Sequence, residues 1–143
     1  MPAEIVRRCN SVEECYEFML AYAAQGVSSG DGSPSDGRIR EVLQQAVDAL
    51  SGLADACAAA VNASALEPAD KYFAFLAVLD RDADDSIRTI ELVLAQPAIS
   101  SQLIDNLNAS MHLRAVLTDL FLVSDILKQH TQSRCSAASA LAG

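Results

Sequence analysis

The chain has 143 residues, which is the size of one domain. Half of its residues are hydrophobic, yet it has no Trp and few aromatics, so its composition favours helices packed through Leu, Ile, Val and Ala over a β-sandwich. The net charge of -9, from 19 acidic and 10 basic residues, argues against nucleic acid and anionic membranes as partners.

The amino-terminal segment and the cysteines predict a cytoplasmic protein. No apolar run is long enough to span a membrane, and the opening residues, MPAEIVRRCNSVEE, lack the pattern of a secretory signal. The four cysteines are unevenly spaced and no His lies near the first pair, so they predict free thiols rather than a disulfide framework or a zinc site. We therefore expect no metal and no cofactor.

A capping box marks the first predicted helix. Ser11 and Glu14 have the S-x-x-E spacing in which each side chain satisfies an amide of the first turn, so the helix is predicted to begin near Val12. Apolar residues at helical spacing follow, and Gly26 stands where a left-handed C-cap would end the helix. The segment 26–37, GVSSGDGSPSDG, is rich in Gly and predicts a flexible loop.

Two long amphipathic helices are predicted next. Over residues 36–62, apolar side chains alternate spacings of four and three, which is the heptad seam of one continuous helix. After Pro68, a second stripe runs without interruption to Gln96, where Pro97 ends the pattern. The members of the second stripe are Tyr72, Leu76, Leu79, Ala83, Ile87, Ile90 and Leu94.

The last predicted helix covers residues 100–130 and carries few charges. Its apolar stripe changes side near Ser110, which predicts a local bend or burial on two sides, as in a homodimer. The tail at 132–143 is small and polar and predicts disorder. The sequence therefore predicts a single all-α domain over residues 1–131: an antiparallel bundle of about four helices, with a short first helix and three long ones, the fourth bent or at a dimer interface.

The stretch DRDADDSIRTIE at 80–91 has two interpretations. It resembles the calcium loop of the EF-hand family, whose ligands stand at positions 1, 3, 5, 7, 9 and 12. The resemblance implies calcium ligands at Asp80, Asp82, Asp84, Ser86 and Glu91. Position 6 is Asp85 instead of Gly, Arg88 occupies position 9, and no second such loop is present. Because the stripe through Ala83 and Ile87 keeps its phase, a continuous helix is the favoured interpretation.

In the helical interpretation, the same charges form a solvent-exposed face. Asp84 with Arg88, and Arg81 with Asp85, have the i,i+4 spacing of stabilising ion pairs. The acidic members of this face are Asp80, Asp84, Asp85 and Glu91. We expect this acidic face to be the surface that a basic protein partner would contact.

The two histidines offer little for catalysis. His112 and His130 stand 18 residues apart, which is about 27 Å along a straight helix and too far to share a metal. No E-x-x-H or H-E-x-x-H pattern is present. His112 lies beside the expected bend with Asn106, Asn108 and Arg114 nearby in sequence, so these four residues could line a polar pocket.

The sequence lacks catalytic motifs, basic patches and membrane segments. Exclusion of the corresponding protein classes favours a non-enzymatic cytoplasmic interaction protein, such as a regulatory subunit, an adaptor or a small chaperone. It would act through helix-face contacts with a protein partner and form a homodimer. Two alternatives stay open: a calcium-binding protein that uses residues 80–91, and a small-ligand-binding or enzymatic bundle with a polar pocket near His112.

Overall fold

A computed structural model describes the backbone of residues 2–28 and 34–142 and the side chains of 2–28 and 36–132. These residues form six α-helices and no β-strand, which confirms the predicted all-α class. The helices are α1 (Ala3–Gln25), α2 (Pro34–Leu50), α3 (Leu53–Ala63), α4 (Ala69–Leu94), α5 (Ser101–Ala109) and α6 (His112–Ala142). Within the described ranges, no helix combines the length and apolarity needed to cross a membrane.

The first helix begins earlier than predicted. The capping box placed its start near Val12, but α1 starts at Ala3 and Ser11 lies inside it. The prediction was wrong because Ile5 and Val12 are both buried, so one apolar face continues across the proposed cap. Packing of an amphipathic face contributes more to helix stability than a local cap preference. The predicted C-cap is confirmed, since Gly26 is left-handed with a φ of 70°.

Two turns divide the long segments and raise the helix number above the four predicted. The continuous helix predicted at 36–62 is wrong: it is interrupted at 51–52, where Gly52 has a φ of 83° that glycine adopts without steric cost. The bend predicted near Ser110 is confirmed as a complete break. Met111 there is left-handed, with a φ of 69°, and separates α5 from α6.

Both segments predicted to lack structure contain helix. The centre of the predicted loop at 26–37, residues 29–33, lies outside the described part of the chain, but α2 already begins at Pro34. Proline is favoured in the first turn of a helix, which explains this start. The backbone of α6 also continues through 132–142, where disorder was predicted. That segment is rich in alanine, the best helix former, and it extends a helix that is already nucleated.

The predicted stripes form the hydrophobic core. The seam of α2 and α3 is buried at Ile39, Leu43, Ala46, Leu50, Leu53 and Cys57. The α4 stripe is buried at Leu76, Leu79, Ala83 and Ile90. Helices α1 and α4 organise the bundle, because α1 packs against α2, α3, α5 and α6, and α4 packs against the same four helices.

Two arginines connect helix ends to neighbouring helices. Arg8 of α1 donates to the carbonyl oxygens of Ala49 and Ser51 at the end of α2, at 2.9 and 2.6 Å. Arg40 of α2 donates to two carbonyl oxygens at the end of α4, at 3.1 and 2.9 Å. The last carbonyls of a helix lack partners within it and carry partial negative charge, so each guanidinium satisfies them and opposes that charge.

Candidate functional site

The acidic stretch lies entirely within α4. Residues 80–91 form uninterrupted helix, which confirms the helical prediction. Successive residues of a helix turn by about 100°, so Asp82 points to the side of α4 opposite Asp80 and Asp84, and the three carboxylates do not surround one ion. Ser86 is buried, and its hydroxyl donates to a carbonyl oxygen of its own helix. Across the described residues, no group of three or more His, Cys, Asp or Glu is placed to hold a metal ion.

The acidic face predicted on α4 is exposed, at Asp80, Asp84, Asp85 and Glu91. The predicted ion pair between Asp84 and Arg88 is confirmed, with an oxygen–nitrogen distance of 3.4 Å. The second predicted pair, Arg81 with Asp85, is absent from the ion pairs of the described side chains. The face therefore keeps excess negative charge.

The four residues predicted to line a polar pocket lie on two helices. Asn106 and Asn108 belong to α5, whereas His112 and Arg114 belong to α6, beyond the break at Met111. Asn106 and Arg114 are exposed. In the described part of the chain, no hydrogen bond joins any two of the four, and none of them lines the cavity described next. A pocket at this end of α6 stays a prediction.

A cavity of about 150 Å³ lies between α1, α3, α4 and α6. Its lining is mainly apolar, with Ile5 from α1, Val61 from α3, Leu76 from α4, and Leu120 and Leu127 from α6. Two further lining residues, at positions 2 and 131, are exposed, so the cavity reaches the protein surface beside them. The apolar stripes of four helices therefore leave an accessible gap where they meet.

One hydrogen-bonded pair of side chains lies in the wall of this cavity. The hydroxyl oxygen of Tyr72, on α4, and Nε2 of His130, on α6, are 2.9 Å apart. Their rings are tilted by 58°, with centroids 6.3 Å apart. Both side chains are partly buried and both line the cavity. The pair therefore offers a polar group at a fixed place in an apolar surface.

The two thiols of the cavity are held in their neutral form. Cys9 and Cys57 both line it. Burial raises the pKa of Cys9, and burial followed by the nearby Cys9 raises the pKa of Cys57 to about 11. Because the thiolate is the nucleophilic form, neither thiol is activated for covalent chemistry near neutral pH. None of the described side chains that line the cavity belongs to Asp, Glu, Lys or Arg, so this part of its wall lacks fixed charge.

A carboxyl pair joins α4 to α6 outside the cavity lining. Burial, followed by a hydrogen bond and the negative charge of Asp82, raises the pKa of Asp119 to about 7. Oδ2 of Asp119 is buried and makes no hydrogen bond with the described residues. Two ionised carboxylates cannot donate to each other, so the pair is satisfied only when it retains a proton. Because the pair lies between two packed helices, we expect it to affect the stability of the fold.

The sequence did not predict the Tyr72–His130 pair. The sequence places Tyr72 at the start of the α4 stripe, and it offers His130 only as a metal ligand too far from His112 to share an ion. The two residues are 58 positions apart, so no local pattern joins them. One signal was present: His130 follows Leu127 by three residues and thus continues an apolar stripe at helical spacing.

No protein-family model, curated protein or solved structure matches the chain. The cavity, with its mainly apolar wall and its Tyr72–His130 pair, is the feature that carries a functional inference.

Proposed function

We propose that this protein is a non-enzymatic binding protein whose helical bundle holds a small, mainly apolar ligand in the cavity between α1, α3, α4 and α6. The observation that carries the proposal is the accessible apolar cavity of about 150 Å³ with one hydrogen-bonded Tyr–His pair in its wall. Ligand sites typically combine an apolar lining with a few placed polar groups. An apolar cavity of roughly 150 Å³ accommodates benzene, which sets the ligand size.

Filling the cavity is expected to abolish this binding. Ala60 on α3 lines the cavity and is partly buried, so a leucine there would occupy the space that a ligand needs. Toluene is a suitable probe because it matches the cavity in size. In an NMR titration, toluene should shift the methyl resonances of Leu76 and Leu127 in the wild type. Ala60→Leu should weaken the binding by at least about tenfold, or about 1.4 kcal/mol.

The neighbouring Ala59 provides a matched control, because it lies on the same helix and is exposed. Ala59→Leu should bind toluene like the wild type. Equal toluene affinity in Ala60→Leu and Ala59→Leu, or no saturable shifts in the wild type, would show that the cavity is not a binding site.

The proposal includes an antiparallel arrangement of the long helices. Tyr72 pairs with His130, and Asp82 faces Asp119, so contacts that advance along α4 move backwards along α6. This order supports antiparallel packing of α4 and α6. Short connections favour the same arrangement for other neighbouring helices.

The cytoplasmic location predicted from the sequence is also part of the proposal, supported by the burial of Cys15 and Cys57 as free thiols.

A second candidate function is protein interaction through helix faces, as predicted from the sequence. Two adjacent large side chains of α6, Phe121 and Leu122, are 54% and 50% exposed. Neighbouring exposed apolar side chains of this size are typical of interaction surfaces. We propose that they form the contact of a homodimer and that the acidic face of α4 binds a basic segment of a protein partner.

Light scattering tests the dimer. The wild type is expected to show twice the mass of the chain, and Phe121→Asp is expected to show the mass of a monomer, because a carboxylate at the contact would lose its hydration on association. Val6→Asp is the control, since Val6 is an exposed valine on α1. A wild type that stays monomeric at high micromolar concentration would exclude the homodimer.

A further inference from the structure

We propose that the ligand of the cavity is a neutral aromatic molecule with one hydroxyl group, and that this hydroxyl binds the Tyr72–His130 pair. Phenol is the simplest member of this class. The inference rests on the proposed function, because it specifies the chemistry of the ligand that the same cavity would hold. The charge of the cavity wall, the hydrogen bond within it, and the size and composition of the cavity support this inference independently.

The charge of the ligand follows from the cavity wall. Among the side chains of residues 2–28 and 36–132, no Asp, Glu, Lys or Arg lines it, and the thiols of Cys9 and Cys57 are protonated near neutral pH. A carboxylate or an ammonium group that entered would lose much of its hydration without meeting a fixed opposite charge. A neutral ligand avoids this penalty.

The hydroxyl group follows from the Tyr72–His130 hydrogen bond of 2.9 Å. If Tyr72 donates to Nε2, its oxygen keeps a free lone pair that accepts a hydrogen bond from a ligand. If the imidazole N–H donates instead, the tyrosine hydroxyl hydrogen is free to donate to a ligand. A ligand hydroxyl both donates and accepts, so it suits the pair with either tautomer of His130. A carbonyl, which only accepts, suits one arrangement.

The aromatic ring follows from the size and the composition of the cavity. A volume of about 150 Å³ fits one six-membered ring with a small substituent. Phe75, Tyr72 and His130 contribute three rings to the lining, and Cys9 and Cys57 contribute two sulfur atoms. Aromatic rings interact favourably with other rings and with sulfur. A flat aromatic molecule uses these contacts better than a flexible chain does.

Three probes of similar size test the inference on the full chain: phenol, toluene and benzoate. Phenol and toluene have nearly the same shape and differ in the hydroxyl group, whereas benzoate carries a negative charge. Calorimetric titration of the wild type should show phenol binding at least about tenfold more tightly than benzoate. This comparison needs no variant and therefore does not depend on the folding of one.

The Tyr72→Phe variant isolates the hydrogen bond. It is expected to weaken phenol binding by about five- to tenfold and to change toluene binding by less than about twofold, because only phenol loses a hydrogen-bond partner. Tyr16→Phe is the control, since Tyr16 is partly buried on α1 but does not line the cavity. It should leave both affinities unchanged.

The outcomes separate the ligand class from the binding function. If toluene binds the wild type but Tyr72→Phe changes phenol and toluene equally, or if benzoate binds as tightly as phenol, the hydroxyl-aromatic class is wrong and the proposed binding function stands. If neither phenol nor toluene binds the wild type, both proposals are overturned. A selective loss of phenol affinity in Tyr72→Phe, together with weak benzoate binding, supports the class.

Discussion

Asp119→Asn is expected to stabilise the protein by about 2 kcal/mol at about pH 8 and to have little effect at about pH 4. The pKa of Asp119 rises from 3.8 to about 7 on folding, through burial and then through Asp82. Between these values the folded state binds more protons than the unfolded state, so wild-type stability falls as the pH rises from about 4 to about 7. Asparagine stays neutral, and its amide can donate to the Asp82 carboxylate.

Urea unfolding across this pH range measures the effect. The free energy of unfolding of the wild type should decrease towards pH 7 and then level off, whereas that of Asp119→Asn should change much less. Asp125→Asn removes a carboxylate from an exposed position of the same helix and controls for the overall charge of -9. If both variants keep the wild-type pH dependence, the Asp82–Asp119 pair is not its source.

Ser101→Ala is expected to destabilise the protein by about 2–3 kcal/mol, because it leaves two polar groups without partners. The hydroxyl of Ser101 donates to the carbonyl oxygen of Tyr22 at 2.6 Å and accepts from the amide of Val27 at 2.8 Å. Ser101 is only 4% exposed, so water does not readily replace these bonds. They join the C-terminal end of α1 to the start of α5 and satisfy a carbonyl of the last turn of α1.

Denaturant unfolding followed by circular dichroism measures this loss. Ser28→Ala is the matched control, since Ser28 lies close in the chain and is exposed. It should change the free energy of unfolding by less than about 0.5 kcal/mol. A loss for Ser101→Ala no larger than that of the control would mean that the buried serine does not stabilise the junction of α1 and α5.

Much of the fold was predictable because amphipathic periodicity is local. The stripe from Tyr72 to Leu94 and the seam from Ile39 to Cys57 identified core positions that the structure buries or partly buries. Helix boundaries were harder to predict. The seam resumes directly after Gly52, so its spacing gives no sign of the turn. The capping box at Ser11 indicated a helix start at a position where α1 runs without interruption.

The polar connections could not be predicted, because they join residues that are distant in the chain. Ser101 and Tyr22 are 79 positions apart, and Tyr72 and His130 are 58 positions apart. Each of these residues has an ordinary place in a helical pattern when considered alone. Their pairing depends on how α1 meets α5 and how α4 meets α6. The candidate cavity is likewise a property of four helices together and of no single segment.

The most direct test of the binding proposal is to locate a bound probe within the full chain. Toluene bound to the wild type is expected to give intermolecular nuclear Overhauser effects to the methyl groups of Ile5, Leu76 and Leu127, which reach the cavity from α1, α4 and α6. Contacts confined to the exposed Phe121 and Leu122, or no intermolecular contacts at saturating toluene, would contradict a ligand site inside the bundle.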